Sequence, residues 1–359
     1  MIAVVFLAAV IWWGGGFVGF DRRLRRVLLA VLYLALLAIH LTLPEGANLR
    51  QATGGSVAPW LMLAGAVVLV LVYRQGLRSL RRRAQPAADA TPAAKAKSDK
   101  FSETELERYA RHIVLRELGG PGQKKLRRAR VLVIGAGGLG APALQYLAAA
   151  GVGTIGVIDD DAVENANLQR QVIHRDDDIG RPKVFSAKSA MEAQNPYVTV
   201  RPYHRRLTDD IAADLFAEYD LILDGSDNFD TRYLANRIAV ALGKPLISGA
   251  LSQWEGQISL FHPAVDGPCY QCIFPEVPAP GLAPSCSEAG VVGPLPGVIG
   301  AMMALEAVKE ISGAGAVLRG EMLIYDGLYS DSRKISLRAQ PDCPVCAGGA
   351  AVTQPKKVG

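Results

Sequence analysis

Val131-Leu-Val-Ile-Gly-Ala-Gly-Gly-Leu-Gly140 decides the fold. Four consecutive apolar residues predict a parallel strand buried on both faces. Gly135, Gly137 and Gly140 then form a G-x-G-x-x-G turn into a helix running from about Leu139 to Gly151. A second apolar run, Ile155-Gly-Val-Ile158, ends at Asp159, where a carboxylate would meet a ribose. The glycines let backbone N–H groups approach a phosphate, and the helix N-terminus adds favourable partial charge. The stretch implies an α/β, Rossmann-like fold with a mostly parallel sheet that binds a nucleotide. It does not say which nucleotide.

Downstream the pattern continues. Asn165-Ala-Asn-Leu-Gln-Arg-Gln171 is followed by Gly180-Arg-Pro-Lys183, which opens a helix through Gln194. A further strand, Leu221 to Asp224, runs into Gly225-Ser-Asp-Asn228. Ligands in such sheets sit beyond the carboxyl ends of the strands, where Asp159 and Asp227 would both lie. Arg170 and Lys183 could supply positive charge to phosphates, and Asp227 could hold a magnesium ion. Each alone is equally a surface charge; together they favour a nucleoside triphosphate over a dinucleotide. Upstream, Ser102-Glu-Thr-Glu105 is a capping box, predicting a helix from Ser102 to about Glu117 with Arg108 and Arg111 on one face.

Here the residues carry a resemblance. From Arg108-Tyr-Ala-Arg111 to Cys346 the chain resembles the MoeB/ThiF/HesA adenylyltransferases, relatives of the ubiquitin-activating enzymes. The matching stretches, in family order, include Gly135-Ala-Gly-Gly-Leu-Gly140, Asn167-Leu-Gln-Arg-Gln171, Gly180-Arg-Pro-Lys183, Ser226-Asp-Asn228, Trp254-Glu-Gly-Gln257, Cys269-Tyr-Gln-Cys272, Cys286-Ser-Glu-Ala-Gly-Val291 and Cys343-Pro-Val-Cys346. Within the family it is most similar to the molybdopterin-synthase branch, which activates a small sulfur carrier. The resemblance implies that Gly138 and Asp159 hold the adenosine part of ATP, that Asn167, Arg170 and Lys183 contact its phosphates, and that Asp227, with Asn228 beside it, binds Mg2+. It also implies a homodimer in which Arg111 reaches the neighbouring subunit's site. The protein substrate would be a ubiquitin-like carrier ending in Gly-Gly. No sulfurtransferase domain follows, so any sulfur donor is expected to be a separate protein. Rival expectations are activation of the thiamine-pathway carrier, ATP-dependent dehydration of a tRNA-bound carboxylate, and a non-adenylating NAD-binding membrane protein.

Cys269, Cys272, Cys343 and Cys346 form two C-x-x-C pairs, the spacing of a structural Zn2+ site. Two local disulfides or free core thiols are the alternatives. Cys286 stands apart, next to a Pro/Gly-rich stretch, Pro275 to Pro284, that reads as a mobile loop over the pocket. Some relatives use a cysteine at this position for a covalent link to the carrier. Further on, Val298 to Ser312 predicts a helix ending at Gly313, and Met322–Tyr325 and Lys334–Leu337 predict late strands.

Half of the 359 residues are hydrophobic, and the excess lies before residue 74. Three apolar runs, 2–20, 27–43 and 57–73, predict transmembrane helices within a segment 1–83. Arginines cluster at 22–26 and 74–83, so the net charge of +5 reads as membrane topology rather than nucleic-acid binding. The expectation is a multi-pass protein of the inner (cytoplasmic) membrane with its catalytic domain in the cytoplasm. Residues 84–100 read as a flexible linker, 101–347 as the adenylyltransferase domain and 348–359 as a disordered tail.

Overall fold

The computed structural model describes residues 2–14, 20, 22–44, 46–84, 100–277 and 289–347. The chain divides into two compact units, Met1–Ser98 and Asp99–Gly359.

The first unit contains α1 (Ile2–Ala9), α2 (Arg22–Thr42), α3 (Asn48–Ala52) and α4 (Ala58–Ala84). Among the described residues Leu36, His40 and Trp60 are its buried ones, and the Tyr33 hydroxyl donates to the Trp60 carbonyl. Among the described residues no helix is long and apolar enough to cross a membrane. This overturns the three transmembrane helices expected at 2–20, 27–43 and 57–73, and the inner-membrane placement that rested on them. The apolar runs do not coincide with the helices. The first is interrupted after eight residues by a π-turn, Val10–Gly14. The second belongs to a helix that opens Arg-Arg-Leu-Arg-Arg, and the third to one that closes Arg-Ser-Leu-Arg-Arg-Arg-Ala.

The second unit begins with α5 (Glu103–Arg108), α6 (Ala110–Ile113) and α7 (Gly119–Arg128). The capping box is present, with Ser102 and Glu105 bonded reciprocally. The single helix expected from Ser102 to Glu117 is instead broken at Tyr109. That ring is buried, and its hydroxyl accepts from Asn195 Nδ2 at 2.9 Å. The tertiary anchor outweighs continuation of the helix, leaving Arg108 at the end of α5 and Arg111 on α6.

The remaining elements are β1 (Arg130–Ile134), α8 (Gly140–Ala150), β2 (Thr154–Ile158), α9 (Lys183–Gln194), β3 (Thr199–Tyr203), α10 (Asp209–Ala217), β4 (Leu221–Asp224), α11 (Phe229–Ala241), β5 (Leu246–Leu251), β6 (Glu255–Phe261), α12 (Tyr270–Ile273), α13 (Pro294–Ser312), β7 (Glu321–Asp326) and β8 (Asp331–Ser336). Among the described residues the strands form one sheet in the order β3-β2-β1-β4-β5-β6-β7-β8. Strands β1 to β5 run parallel, and β6 to β8 extend the sheet antiparallel. The fold is thus Rossmann-like. Val131 to Ile134 are buried because helices cover both faces, α8 and α13 packing on one and α10 and α11 on the other. Strand order reverses between β1 and β4, which opens a crevice at their carboxyl ends.

Candidate functional site

The turn after β1 depends on two glycines. Gly135 has φ +89°, and a Cβ on Gly140 would lie 1.9 Å from the Gly135 carbonyl oxygen. Only glycine permits that crossing. The turn forms one wall of a cavity of about 940 Å³ at the switch point. Gly138, Asp159, Arg170, Lys183, Asp227 and Asn228 all line it. That volume suits a nucleotide-sized ligand.

Asp159 accepts from the Ala136 N–H at 2.7 Å and from the Asp161 N–H at 2.8 Å. A carboxylate offers about four acceptor sites, so capacity remains for a ribose diol. Burial raises its pKa above the ordinary carboxylate value, against the opposing pull of Lys183 and the two amides. Lys183 is buried at the start of α9 and donates to the exposed Asp161 at 2.7 Å. An arriving phosphate can replace that solvent-facing partner. Arg170 donates to Asn167 Oδ1 at 2.9 Å. Asn167 is not among the residues lining the cavity; it orients Arg170.

Asp227 is exposed and faces the cavity, and the Asn228 side chain caps α11 by accepting from the Thr231 N–H at 2.9 Å. Beneath them lies a network that the sequence did not disclose. Buried Asp224 accepts from the Ser226 N–H at 3.0 Å and hydroxyl at 2.6 Å, from Ser248 at 3.1 Å and from Arg232 at 3.3 Å. Arg232 also donates to the Ser226 carbonyl at 2.5 Å. The network fixes the loop that carries Asp227. Nor did the sequence single out Gln171. It lines the cavity and is buried, and its Oε1 has no hydrogen-bond partner among the described residues.

Arg111 is exposed and is not among the residues lining this cavity. Cys286 and most of the expected loop over the pocket, 278–284, lie outside the described residues.

The four other cysteines come together from two distant parts of the sequence. Sγ separations are 3.8 Å for Cys269–Cys272, 3.6 Å for Cys269–Cys343 and 3.4 Å for Cys272–Cys346. Thiolates about 2.3 Å from a tetrahedral zinc would stand about 3.8 Å apart, so the set fits that ion. These separations exceed a disulfide bond of about 2.05 Å. Burial opposes charge on Cys343, but hydrogen bonds from the Cys346 and Val345 backbone and from the neighbouring thiols lower its pKa, while burial raises those of Cys269 and Cys346. Asn236 Nδ2 donates to Cys269 Sγ at 3.7 Å, one helical turn from Arg232 on α11.

The ThiF family profile matches residues 109–345. The chain belongs to the ThiF family. It is 50% identical over 251 residues to the sulfur carrier protein adenylyltransferase of Thermus thermophilus, covering 69% of this chain and 93% of that one. It is 48% identical over 246 residues to the SAMP-activating enzyme E1 of Haloferax volcanii, covering 68% and 90%. Among solved structures, MccB of E. coli superposes with a TM-score of 0.59 at 23% identity, covering 69% of this chain and 74% of that one, a likeness of fold. This ThiF-family protein is an adenylyltransferase, of a family that uses ATP.

Proposed function

We propose that this ThiF-family enzyme adenylates the C-terminal glycine of a small ubiquitin-like sulfur-carrier protein, preparing it for thiocarboxylate formation in molybdopterin biosynthesis. One observation carries the reading. A single cavity at the switch point gathers a ribose-type acid, Asp159, two phosphate-type cations, Arg170 and Lys183, and an exposed acid, Asp227. A dinucleotide would need no such triphosphate set. The names of the two relatives, a sulfur-carrier adenylyltransferase and a SAMP-activating enzyme, support the class of substrate.

The chemistry asks little of acids and bases. A terminal glycine carboxylate is already ionised at neutral pH. Its oxygen attacks the α-phosphorus, forming an acyl–phosphate bond while the bond to pyrophosphate breaks. The obstacle is anion against anion, met by positioning and fixed positive charge. Asp159 orients the ribose, and Lys183 and Arg170 hold phosphate oxygens, Lys183 exchanging Asp161 for substrate. Asp227 would hold Mg2+, which supplies charge neutralisation at the departing pyrophosphate. A tail without side chains, Gly-Gly, can enter so confined a site. The cysteine cluster would hold Zn2+ as a closed structural site. Arg111, absent from the lining of its own chain's cavity, suits service in the site of a second copy in a homodimer.

The test is ATP–pyrophosphate exchange with a carrier ending in Gly-Gly. Exchange should depend on that carrier, and Arg170→Ala and Lys183→Ala should each lower it about a hundredfold or more. Arg111→Ala and Asp227→Ala chains, each inactive alone, should regain exchange when mixed into verified heterodimers, which contain one complete site. Verified heterodimers that stay inactive would defeat the shared site, and carrier-independent exchange would defeat the substrate assignment.

A further inference from the structure

The glycine loop has a second anchor. Ala136 is fully buried and is held at both ends of its backbone. Its N–H donates to Asp159, and its carbonyl lies 2.9 Å from Nε2 of buried His174. A carbonyl only accepts, so this contact is a hydrogen bond only when Nε2 carries the proton. His174 Nδ1 lies 2.9 Å from Ser186 Oγ, which in turn lies 2.7 Å from Asp178 Oδ2. The other Asp178 oxygen accepts from Arg181 at 3.0 Å.

The three contacts from Asp178 through Ser186 and His174 to Ala136 need three protons. A neutral imidazole and one serine hydroxyl supply two. If Ser186 donates to Asp178, the imidazole is drawn to the Nδ1–H tautomer and turns a lone pair against the Ala136 carbonyl. If Ser186 donates instead to Nδ1, the loop is held, but Asp178 faces an oxygen without a proton between them. Asp178 and the glycine loop therefore compete for one proton, and only an imidazolium satisfies both. Burial pushes the His174 pKa below its ordinary value, with Lys183 adding to the effect while the Ala136 bond and Asp178 oppose it. For Asp178, burial is outweighed by the bonds from Ser186 and Arg181, which keep it a carboxylate. The charged groups around the ring are Asp178 and Arg181 from the preceding turn, Lys183 at the start of α9 and, across the Ala136 peptide, Asp159.

We infer that His174 is a positioning residue of the nucleotide site, holding the phosphate-facing glycine loop through the relay Asp178–Ser186–His174–Ala136, in which Asp178 competes with the loop for a proton. The inference rests on the ATP reading of the cavity.

Calorimetry of ATP binding to the purified full chain, from about pH 5.5 to 8.5, tests it together with nitrogen NMR of the histidine ring in the nucleotide-free protein. His174→Leu should weaken ATP binding about tenfold or more. His174→Gln can donate to Ala136 and accept from Ser186, and should recover most of that loss. Asp178→Asn is the discriminating variant. Its amide can donate to Ser186 while its oxygen still accepts from Arg181, so the relay closes with a neutral ring. Binding at neutral pH should then equal or exceed that of the parent protein. NMR should show the Nε2–H tautomer alone, where the parent shows a mixture that shifts with pH. If the parent chain binds no ATP, the nucleotide reading fails, and NMR still decides the relay. If the parent binds ATP and a folded His174→Leu binds it equally well, the positioning role is wrong. It is equally wrong if Asp178→Asn weakens binding as His174→Leu does. Should His174→Leu not fold, Asp178→Asn and NMR decide the question.

Discussion

Asp224 and Asp227 stand three residues apart, one buried beneath the loop that lines the cavity, as its floor, and one exposed on that loop, as its rim, and they live under opposite rules. Asp224 is buried and saturated, with donors from Ser226, Ser248 and Arg232. Asp227 is exposed and has no such set of donors among the described residues. A buried acid with every site filled has nothing left for a ligand, and removing it strands Arg232. An exposed acid on a loop clamped from below is free to bind, and removing it disturbs little else. Floor and rim separate stability from function.

The largest effect should break that pair apart. Asp227→Ala should reduce ATP–pyrophosphate exchange by at least about a hundredfold, with the melting temperature nearly unchanged, as for a surface substitution of within about 0.5 kcal/mol. Asp224→Ala leaves a buried guanidinium unpaired, a loss of about 3–5 kcal/mol, so it should melt many degrees lower. Exchange assays beside thermal melts decide it. An Asp224→Ala chain as stable as the parent, or an Asp227→Ala chain that fails to fold, would reverse the assignment.

The rim was legible in the sequence and the floor was not. Asp227 and Asn228 belong to a short local pattern at a strand end, which alone reads equally as surface charge and points to a ligand only together with the glycine turn, Asp159, Arg170 and Lys183. Asp224 meets Ser248 from another strand and Arg232 from a helix, partners that only the sheet order brings together. His174 and Gln171 were hidden for the same reason, since each acts through atoms distant in the chain. The strand–turn–helix core was legible throughout, because Val131–Ile134 and the glycines act locally. Before residue 84 the same reasoning failed. Apolar runs there predict spans, yet the first α-helix stops at Ala9 and the two longer helices take in the arginine clusters. The break at Tyr109 escaped as well, because its cause is Asn195, far along the chain.

A smaller effect extends the comparison to the cysteine cluster, which is floor without rim. The purified full chain should carry about one zinc. Cys343→Ser, or stripping with a chelator, should lower the melting temperature by several degrees, as for loss of about 2 kcal/mol. Because α11 carries both Asn236, bonded to Cys269, and Arg232, bonded to Asp224, metal loss should also weaken ATP binding modestly. A metal-free chain that melts like the parent would remove the structural-site reading.

The smallest effect concerns Asp159, which shares both roles: it supports the Ala136 and Asp161 amides and still faces the cavity. Burial raises its pKa, so the folded chain holds that proton more tightly than the unfolded chain does. By linkage, the group favours folding fully below its unfolded pKa, and that contribution is lost as pH rises through the higher folded value, leaving a penalty at neutral pH. Asp159→Asn removes the half-buried charge and keeps an oxygen for the buried Ala136 N–H, while the Asp161 N–H, on an exposed residue, turns to water. Without nucleotide, this variant should melt at the parent's temperature or about 1–3 °C higher at neutral pH. The difference should shrink on acidification toward the ordinary carboxylate range. With ATP present the order should invert, because the ribose hydroxyls lose an acceptor that only the carboxylate supplies. Melting curves at several pH values, with and without ATP, read both halves. If the variant is much less stable than the parent at neutral pH without nucleotide, Asp159 belongs with Asp224 as a structural acid, and the ribose must be held by other groups.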